Sequence, residues 1–184
     1  MDLWRVFPWD PDARAGEPYS PSYVPPTTGR GRFDLPLGFS PVLYLAELAE
    51  HAVAESLQPF RNRPLRSSHL RRAGFSLALV RVGLSGRGSS GVADLCAPES
   101  LVDLGIPPDR IAARDRGITQ PLARRVWDAG HGGLRWWSVF RGEWHGVVLF
   151  TERLTGRLRF DDPEPLTVET AAVRSAAEAL GMGV

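Results

Sequence analysis

The sequence of 184 residues contains no lysine, only one cysteine and no long apolar run. All 22 basic side chains are arginines, and 21 acidic side chains nearly balance them, which leaves a net charge of +1. This balance argues against a protein whose whole surface neutralises phosphate backbones. The single Cys96 excludes an intramolecular disulfide framework and a cysteine-based zinc cluster, and it fits a reducing compartment.

No window of about 18 apolar residues occurs, and the N-terminal stretch lacks the apolar core of a signal peptide. We therefore expect neither a membrane span nor a signal peptide, and a cytoplasmic location. At about 150 residues per domain, the length predicts one compact domain. With 43% hydrophobic and 23% charged residues, the chain has the composition of a globular protein with a buried core.

The sequence pattern predicts an α+β fold. Strands are indicated at residues 2–7, 75–83 and 92–96, the last two as a hairpin around SGRGSSG, and a strand followed by a helix at 42–58. Eight of the 16 prolines precede residue 42, so residues 8–29 are expected to form a long loop. Thr119 and Pro121 mark the start of a helix. A β meander is predicted for the segments GLRWWSVF, HGVVLFT and LTGRLRF, and a C-terminal helix is predicted for residues 167–181.

Glu55 is the most informative residue of the predicted helix. At 100° per residue it falls about 20° from Leu48 and 60° from Ala52, so the pattern predicts a carboxylate on the apolar, inward face. A buried carboxylate needs partners or it becomes protonated. Two interpretations stay open from the residues alone: a structural ion pair with an arginine, or a catalytic or ribose-binding acid.

Three further polar residues are candidates, and each also has an ordinary structural interpretation. Tyr44 lies in the strand before the Glu55 helix, where a tyrosine commonly packs in the core. Arg32 follows two glycines in GRGRF, which suits an anion contact or simply a basic turn. Ser138 ends GLRWWS, where strand alternation places it on the same face as Trp136 and opposite Trp137.

Other motifs carry little chemistry. The four histidines, at positions 51, 69, 131 and 145, lack metal-ligand spacing, and we expect no bound metal. SGRGSSG lacks the lysine and spacing of a P-loop, so a simple connecting loop is favoured. Residues 61–74 contain five arginines and are the one candidate for nucleic-acid contact. Without interleaved aromatic residues, a solvated loop or a partner-facing surface is favoured there, and direct nucleic-acid binding is not expected.

Taken together, these pieces resemble the RES domain, the toxin half of Xre–RES toxin–antitoxin systems, over roughly residues 3–155. Their order and spacing, more than any single piece, carry the resemblance. The matching segments are WRV at 4–6, GRF at 31–33, VLYLAE at 42–47, AES at 54–56, DL at 94–95, LGI at 104–106, GLRWWS at 133–138 and VVLF at 147–150.

The resemblance implies a fold, a substrate and a partner. It implies a fold like that of ADP-ribosyltransferases, a RES-like NAD-binding catalytic domain at residues 1–160, and a helical extension at 161–184 packed on the same domain. It implies NAD as the substrate, without a metal, and a cognate Xre-like antitoxin that covers the active site. The family's polar set maps onto Arg32, Tyr44, Glu55 and Ser138 as catalytic residues, with Arg5 of WRV as a second anion ligand.

The resemblance also implies roles for these residues. Glu55 would bind ribose hydroxyls, Tyr44 would pack on nicotinamide, Arg32 would bind a phosphate, and Ser138 would position the nicotinamide ribose. The expected activity is depletion of NAD by cleavage of the nicotinamide–ribose bond, through hydrolysis or phosphorolysis. Two alternatives stay open: transfer of ADP-ribose to a host protein, and a non-enzymatic, arginine-rich nucleic-acid-binding protein. The acceptor and the oligomeric state are not determined by the sequence.

Overall fold

The computed structural model describes residues 1–85 and 91–183. Its strands are β1 (Asp2–Trp9), β2 (Val42–Ala46), β3 (Arg71–Arg72), β4 (Phe75–Leu84), β5 (Val92–Asp94), β6 (Gly133–Trp137), β7 (His145–Phe150), β8 (Leu158–Phe160) and β9 (Glu164–Pro165). Its helices are α1 (Ala49–Leu57), α2 (Pro98–Leu104), α3 (Pro108–Ile111), α4 (Arg116–Asp128) and α5 (Ala171–Ala179). Short 3₁₀ turns occupy Gln58–Phe60, Ser67–Leu70 and Thr151–Leu154.

The chain forms two compact units. Unit 1 comprises Met1–Tyr23, Ala46–Gly83 and the described part of Arg159–Val184, and unit 2 comprises Val24–Leu45 and the described part of Leu84–Leu158. The predicted α+β class is confirmed, with a mixed, mainly antiparallel set of strands and flanking helices. No helix in the described part of the chain is long and apolar enough to cross a bilayer.

Unit 1 is built on the antiparallel pair of β1 and β4, which runs from Asp2 opposite Gly83 to Trp9 opposite Ser76. The other edge of β4 pairs with β3 and β9. Helix α1 packs against α5 and β1. Both helices bury small or branched apolar side chains: Val53 and Ala54 of α1 and Val173 of α5 are fully buried.

Unit 2 contains the strand order β2–β7–β6–β5. Strands β6 and β7 form the antiparallel hairpin that the meander pattern predicts, whereas β5 and β6 are parallel. Helix α2 ends at Gly105, whose φ of +59° is the left-handed conformation that glycine adopts without steric cost. The apolar core of this unit includes Phe33, Trp136 and Phe150.

Three local predictions are wrong. The LTGRLRF segment does not continue the β6–β7 meander, because its strand β8 pairs with β4. Residues 92–96 do not form a hairpin with the preceding strand, because β5 pairs in parallel with β6; residues 86–90 of the supposed turn lie outside the described residues. Helix α4 begins earlier than predicted. Asp115 is its N-cap, since its side chain accepts a hydrogen bond from the backbone N–H of Gly117, and Thr119 lies inside the helix with its side chain buried.

Candidate active site

The loop before β2 is held by a buried carboxylate that the sequence analysis did not single out. Asp34 is 4% exposed. It accepts a hydrogen bond from the backbone N–H of Gly31 at 2.9 Å and another from the Tyr44 hydroxyl at 3.0 Å. The same hydroxyl accepts a hydrogen bond from the Phe33 backbone N–H at 2.8 Å. Because Tyr44 lies in β2, these bonds attach the GRGRFD loop to the sheet.

The position of Tyr44 is further fixed by aromatic packing and by glycine. Its ring makes an edge contact with the Trp136 ring at a centroid distance of 6.2 Å, and Trp136 also contacts the Phe33 ring at 4.8 Å. A Cβ at Gly31 would overlap the Tyr44 hydroxyl and Asp34 Oδ1. The second glycine of GRGR therefore serves close packing of the loop on the tyrosine.

The environment of Tyr44 fixes its protonation state. Burial raises the pKa of Tyr44 far above its ordinary value, and the negative charge of Asp34 and the hydrogen bond to it raise the pKa further. The Phe33 N–H and the charge of Arg32 act in the opposite direction but are outweighed. Tyr44 is thus a neutral hydrogen-bond donor at physiological pH, which suits packing and orientation and excludes action as a general base.

Arg32 lies in the same cluster. Its guanidinium donates a hydrogen bond to the carbonyl of Ile111, the last residue of α3, at 2.6 Å, and lies 5.1 Å from the Phe33 ring centre. Its backbone carbonyl accepts a hydrogen bond from the Thr119 hydroxyl. Gln120 donates to the carbonyls of Gly29 and Gly31 at 3.0 Å each. The loop that carries Arg32 is therefore fixed to the first turns of α4.

Ser138 directly follows β6. The predicted alternation is found, because Trp136 is buried while Trp137 is 37% exposed. The Ser138 N–H donates to the Trp144 carbonyl at 2.8 Å, and its hydroxyl accepts from the Phe140 N–H at 3.2 Å. The hydroxyl hydrogen can still be donated to a ligand, since a serine hydroxyl both donates and accepts.

Glu55 lies in α1 and corrects the sequence prediction. Its side chain is 51% exposed, whereas His51 to Ala54 and Leu57 of the same helix are buried. The prediction used Leu48 as an apolar reference, but Leu48 is the extended N-cap residue and is 38% exposed. Glu55 forms no ion pair with an arginine among the described residues. Its Oε1 lies 3.4 Å from Nε2 of His51 one turn earlier.

Arg5 lies in β1 and is largely enclosed. Its Nη1 donates hydrogen bonds to the carbonyls of Pro21 and Tyr23 at 3.1 and 2.7 Å, and its guanidinium lies 5.3 Å from the Phe7 ring centre. Burial lowers the pKa of Arg5 to about 10, which keeps the side chain charged at neutral pH. Its contacts attach the proline-rich segment to β1, a structural role that the sequence did not reveal.

The structure thus divides the predicted set. Unit 2 contains Arg32, Tyr44 and Ser138, and unit 1 contains Arg5 and Glu55. Arg32 and Tyr44 lie close enough for the charge of Arg32 to act on the Tyr44 hydroxyl. Sequence reasoning missed Asp34, although an aspartate three residues after a glycine is a pattern in which the carboxylate can reach back to a backbone N–H. Among the described residues, no group of three or more His, Cys, Asp or Glu side chains could hold a metal ion.

An apolar cavity of about 440 Å³ lies elsewhere in unit 2. Its walls include Leu101, Ile106, Pro107 and Trp137, and Cys96 also lines it. None of the candidate polar residues lines this cavity, so we do not place the site there.

The fold and the cluster define a small α+β domain with a polar site that contains arginine and tyrosine. The RES domain family model matches residues 2–169, and the chain therefore belongs to the RES domain family, as the resemblance predicted. A search of curated proteins finds no match.

A solved structure shares the fold. The structure described as the MbcT–MbcA toxin–antitoxin complex of M. tuberculosis matches with a TM-score of 0.62 and 20% sequence identity. The match covers 98% of this chain and 88% of that chain.

Proposed function

We propose that this protein is the toxin of a toxin–antitoxin pair and that it depletes NAD by cleaving the nicotinamide–ribose bond. The observation that carries the proposal is the half-exposed carboxylate of Glu55 on a helix that is otherwise largely buried. A carboxylate that binds ribose hydroxyls must be accessible to a ligand, and a closed arginine pair would have argued against this role. Membership of the RES domain family supports the same substrate.

The chemistry makes modest demands on the protein. The bond between ribose C1′ and the nicotinamide nitrogen breaks with both electrons going to the nitrogen, so nicotinamide leaves as a neutral molecule. The ribose becomes oxocarbenium-like, and water or phosphate adds to C1′. With water, the product is ADP-ribose and one proton is released. The protein must orient the dinucleotide, stabilise positive charge on the ribose and admit the acceptor.

The candidate residues have properties that suit these tasks. Glu55 supplies a negative charge and accepts hydrogen bonds from ribose hydroxyls, and its Oε1 lies 3.4 Å from Nε2 of His51. Tyr44, held neutral by burial and Asp34, packs on the nicotinamide ring. Arg32 binds a phosphate through its planar guanidinium. Ser138 donates its hydroxyl hydrogen to the nicotinamide ribose.

The test is release of nicotinamide from NAD by the purified protein and by two matched variants. Glu55→Gln should lower the rate about 10²- to 10³-fold, the usual effect of losing a charge partner of the transition state. Glu50→Gln, on the same helix, is the control and should keep the wild-type rate. Glu55→Gln should unfold at the wild-type temperature, because Glu55 is half exposed. A wild-type turnover rate in Glu55→Gln refutes the assignment.

Product analysis separates the proposed activity from transfer to a protein. Free ADP-ribose indicates hydrolysis, and a phosphorylated ADP-ribose that forms only in phosphate buffer indicates phosphorolysis. Labelled NAD with cell lysate reveals a modified protein band if ADP-ribose is transferred to a host protein. Nicotinamide release without a labelled band supports depletion of NAD.

A partner follows from the same proposal. A protein that consumes NAD without control would harm its own cell, so we propose a cognate, Xre-like antitoxin that covers the active site. The structural neighbour supports this, since its description is that of a toxin–antitoxin complex. Co-expression with the cognate antitoxin should restore growth and suppress nicotinamide release. Continued release from the purified pair would contradict the covering role.

A further inference from the structure

One segment of the chain carries basic side chains without any acidic ones. Residues 56–93 contain no aspartate or glutamate, yet the chain as a whole has 21. Five arginines of this segment lie between residues 61 and 72. We name them the arginine strip: Arg61, Arg63, Arg66, Arg71 and Arg72. All five are exposed.

The backbone beneath the arginine strip is ordered by contacts within unit 1. The N–H of Asn62 donates to the Leu180 carbonyl at 3.2 Å, and the N–H of Leu65 donates to the Gly183 carbonyl at 2.7 Å. Leu70 is buried, and β3 pairs with β4. The strip is therefore displayed on a fixed surface, so a ligand would not bear the entropy cost of ordering this loop.

No arginine of the strip has a carboxylate partner within the described residues. Elsewhere, exposed arginines pair with acids: Arg81 with Asp2 at 2.6 Å and Arg124 with Asp128 at 2.8 Å. The charge of the strip also lowers the pKa of His69, which burial lowers first and the charges of the Arg66 and Arg63 guanidinium groups lower further.

The side chains of the strip differ in how far they are engaged. Arg71 donates to the Gly74 carbonyl at 2.7 Å, and Arg72 donates to the Ser56 carbonyl at 3.4 Å. Arg61, Arg63 and Arg66 make no side-chain contact of this kind within the described residues. These three guanidinium groups are available for bidentate bonds to carboxylates.

The observations favour an acidic protein segment over a nucleic acid. The five charges of the strip exceed the net charge of +1 of the whole chain, so the other residues together are net negative. They would repel a polyanion that extends well beyond the strip, whereas a short acidic segment can pair with the strip alone. The neighbouring aromatic ring, Phe60, already stacks on His69 with a centroid distance of 4.0 Å and an interplanar angle of 10°. One face of this ring is therefore covered, whereas single-strand binding relies on open aromatic faces.

We propose that the arginine strip is the docking surface for an acidic segment of a partner protein, whose carboxylates pair with Arg61, Arg63 and Arg66. This proposal is independent of the NAD chemistry, because it concerns residues that have no role in the proposed cleavage. Its failure would leave the proposed function untouched.

The probe is a fluorescent peptide of about ten glutamates, and fluorescence anisotropy measures its affinity for the full chain at low salt, where surface charges are least screened. Arg61, Arg63 and Arg66 are changed together to serine; Arg71 and Arg72 are kept because their side chains bond the loop backbone. The triple variant should bind at least about tenfold more weakly, as expected for three surface ion pairs.

The control variant removes the same charge elsewhere. It changes three other exposed arginines, Arg14, Arg110 and Arg114, together to serine. This triple substitution should reduce the affinity for the peptide less than about twofold. Equal losses in both variants, or no peptide binding by the wild type, would overturn the proposal. Tighter binding of a single-stranded oligothymidylate of the same length would also overturn it, in favour of nucleic acid. In an NMR titration, bound peptide should raise the pKa of His69. An unchanged pKa would show that the peptide binds elsewhere and would contradict docking at the arginine strip.

Discussion

Replacement of Gly31 by alanine tests the packing of the candidate site most directly. A Cβ at this position would overlap the Tyr44 hydroxyl and Asp34 Oδ1, and it would lie 2.8 Å from Tyr44 Cζ. Gly31 does not adopt a left-handed φ, so the expected effect is steric and carries no backbone strain. The Tyr44 side chain cannot easily move away from the new methyl group, since its ring packs against Trp136.

The magnitude follows from two effects. Overpacking of a well-packed site costs about 1–3 kcal/mol. Displacement of the Tyr44 hydroxyl also leaves the buried Asp34 carboxylate without one of its hydrogen bonds, which costs about 1–3 kcal/mol. Gly31→Ala should therefore lower the free energy of unfolding by about 3 kcal/mol. For a chain of this size, such a loss corresponds to a fall in Tm of about 6–12 °C.

The assay is urea unfolding followed by tryptophan fluorescence. Gly142→Ala is the matched control, because its new methyl group meets open space, and it should change stability by less than about 0.5 kcal/mol. Tyr44→Phe removes the overlapped hydroxyl, so Gly31→Ala should cost less in that background. Equal stabilities of Gly31→Ala and Gly142→Ala would refute the reasoning, as would an undiminished cost in the Tyr44→Phe background.

Two further predictions concern polar contacts of unit 2. Thr119→Val should destabilise the protein by about 1–3 kcal/mol, because the Arg32 carbonyl loses its hydroxyl donor. The control, Thr155→Val at an exposed turn, should cost less than about 0.5 kcal/mol. Equal urea midpoints of the two variants would contradict the predicted role of Thr119. The pKa of Asp94 is lowered, because hydrogen bonds from the Cys96 N–H and Arg135 outweigh the opposing effect of burial. The ionised Asp94 therefore stabilises the protein above about pH 4, and this contribution is lost as the pH falls through the lowered pKa. Asp94→Asn should cost less than about 1 kcal/mol at pH 7, and the stability difference between the variant and the wild type should vanish in acid. A difference that persists in acid would show that charge is not the cause.

Local sequence signals predicted the elements whose residues interact mainly with their chain neighbours. Periodicity and turn residues correctly predict four elements: strand β1, strand β2 followed by helix α1, strand β4, and the β6–β7 hairpin. The partner of β5 was missed because strand pairing depends on contacts distant in the sequence. The start of α4 was missed for a related reason: Thr119 is buried inside the helix, where its hydroxyl bonds the distant Arg32 carbonyl.

The sequence by itself determined the α+β class, the main elements and the family resemblance, because apolar periodicity and short motifs are local properties of the chain. Tertiary structure alone decided the environments of the polar residues. It buried Asp34 under Tyr44, exposed Glu55 and used Arg5 to hold a loop, since these outcomes depend on which groups meet across long sequence separations. Hydrogen bonding and burial, which set the chemistry of each side chain, arise only when those distant groups are brought into contact.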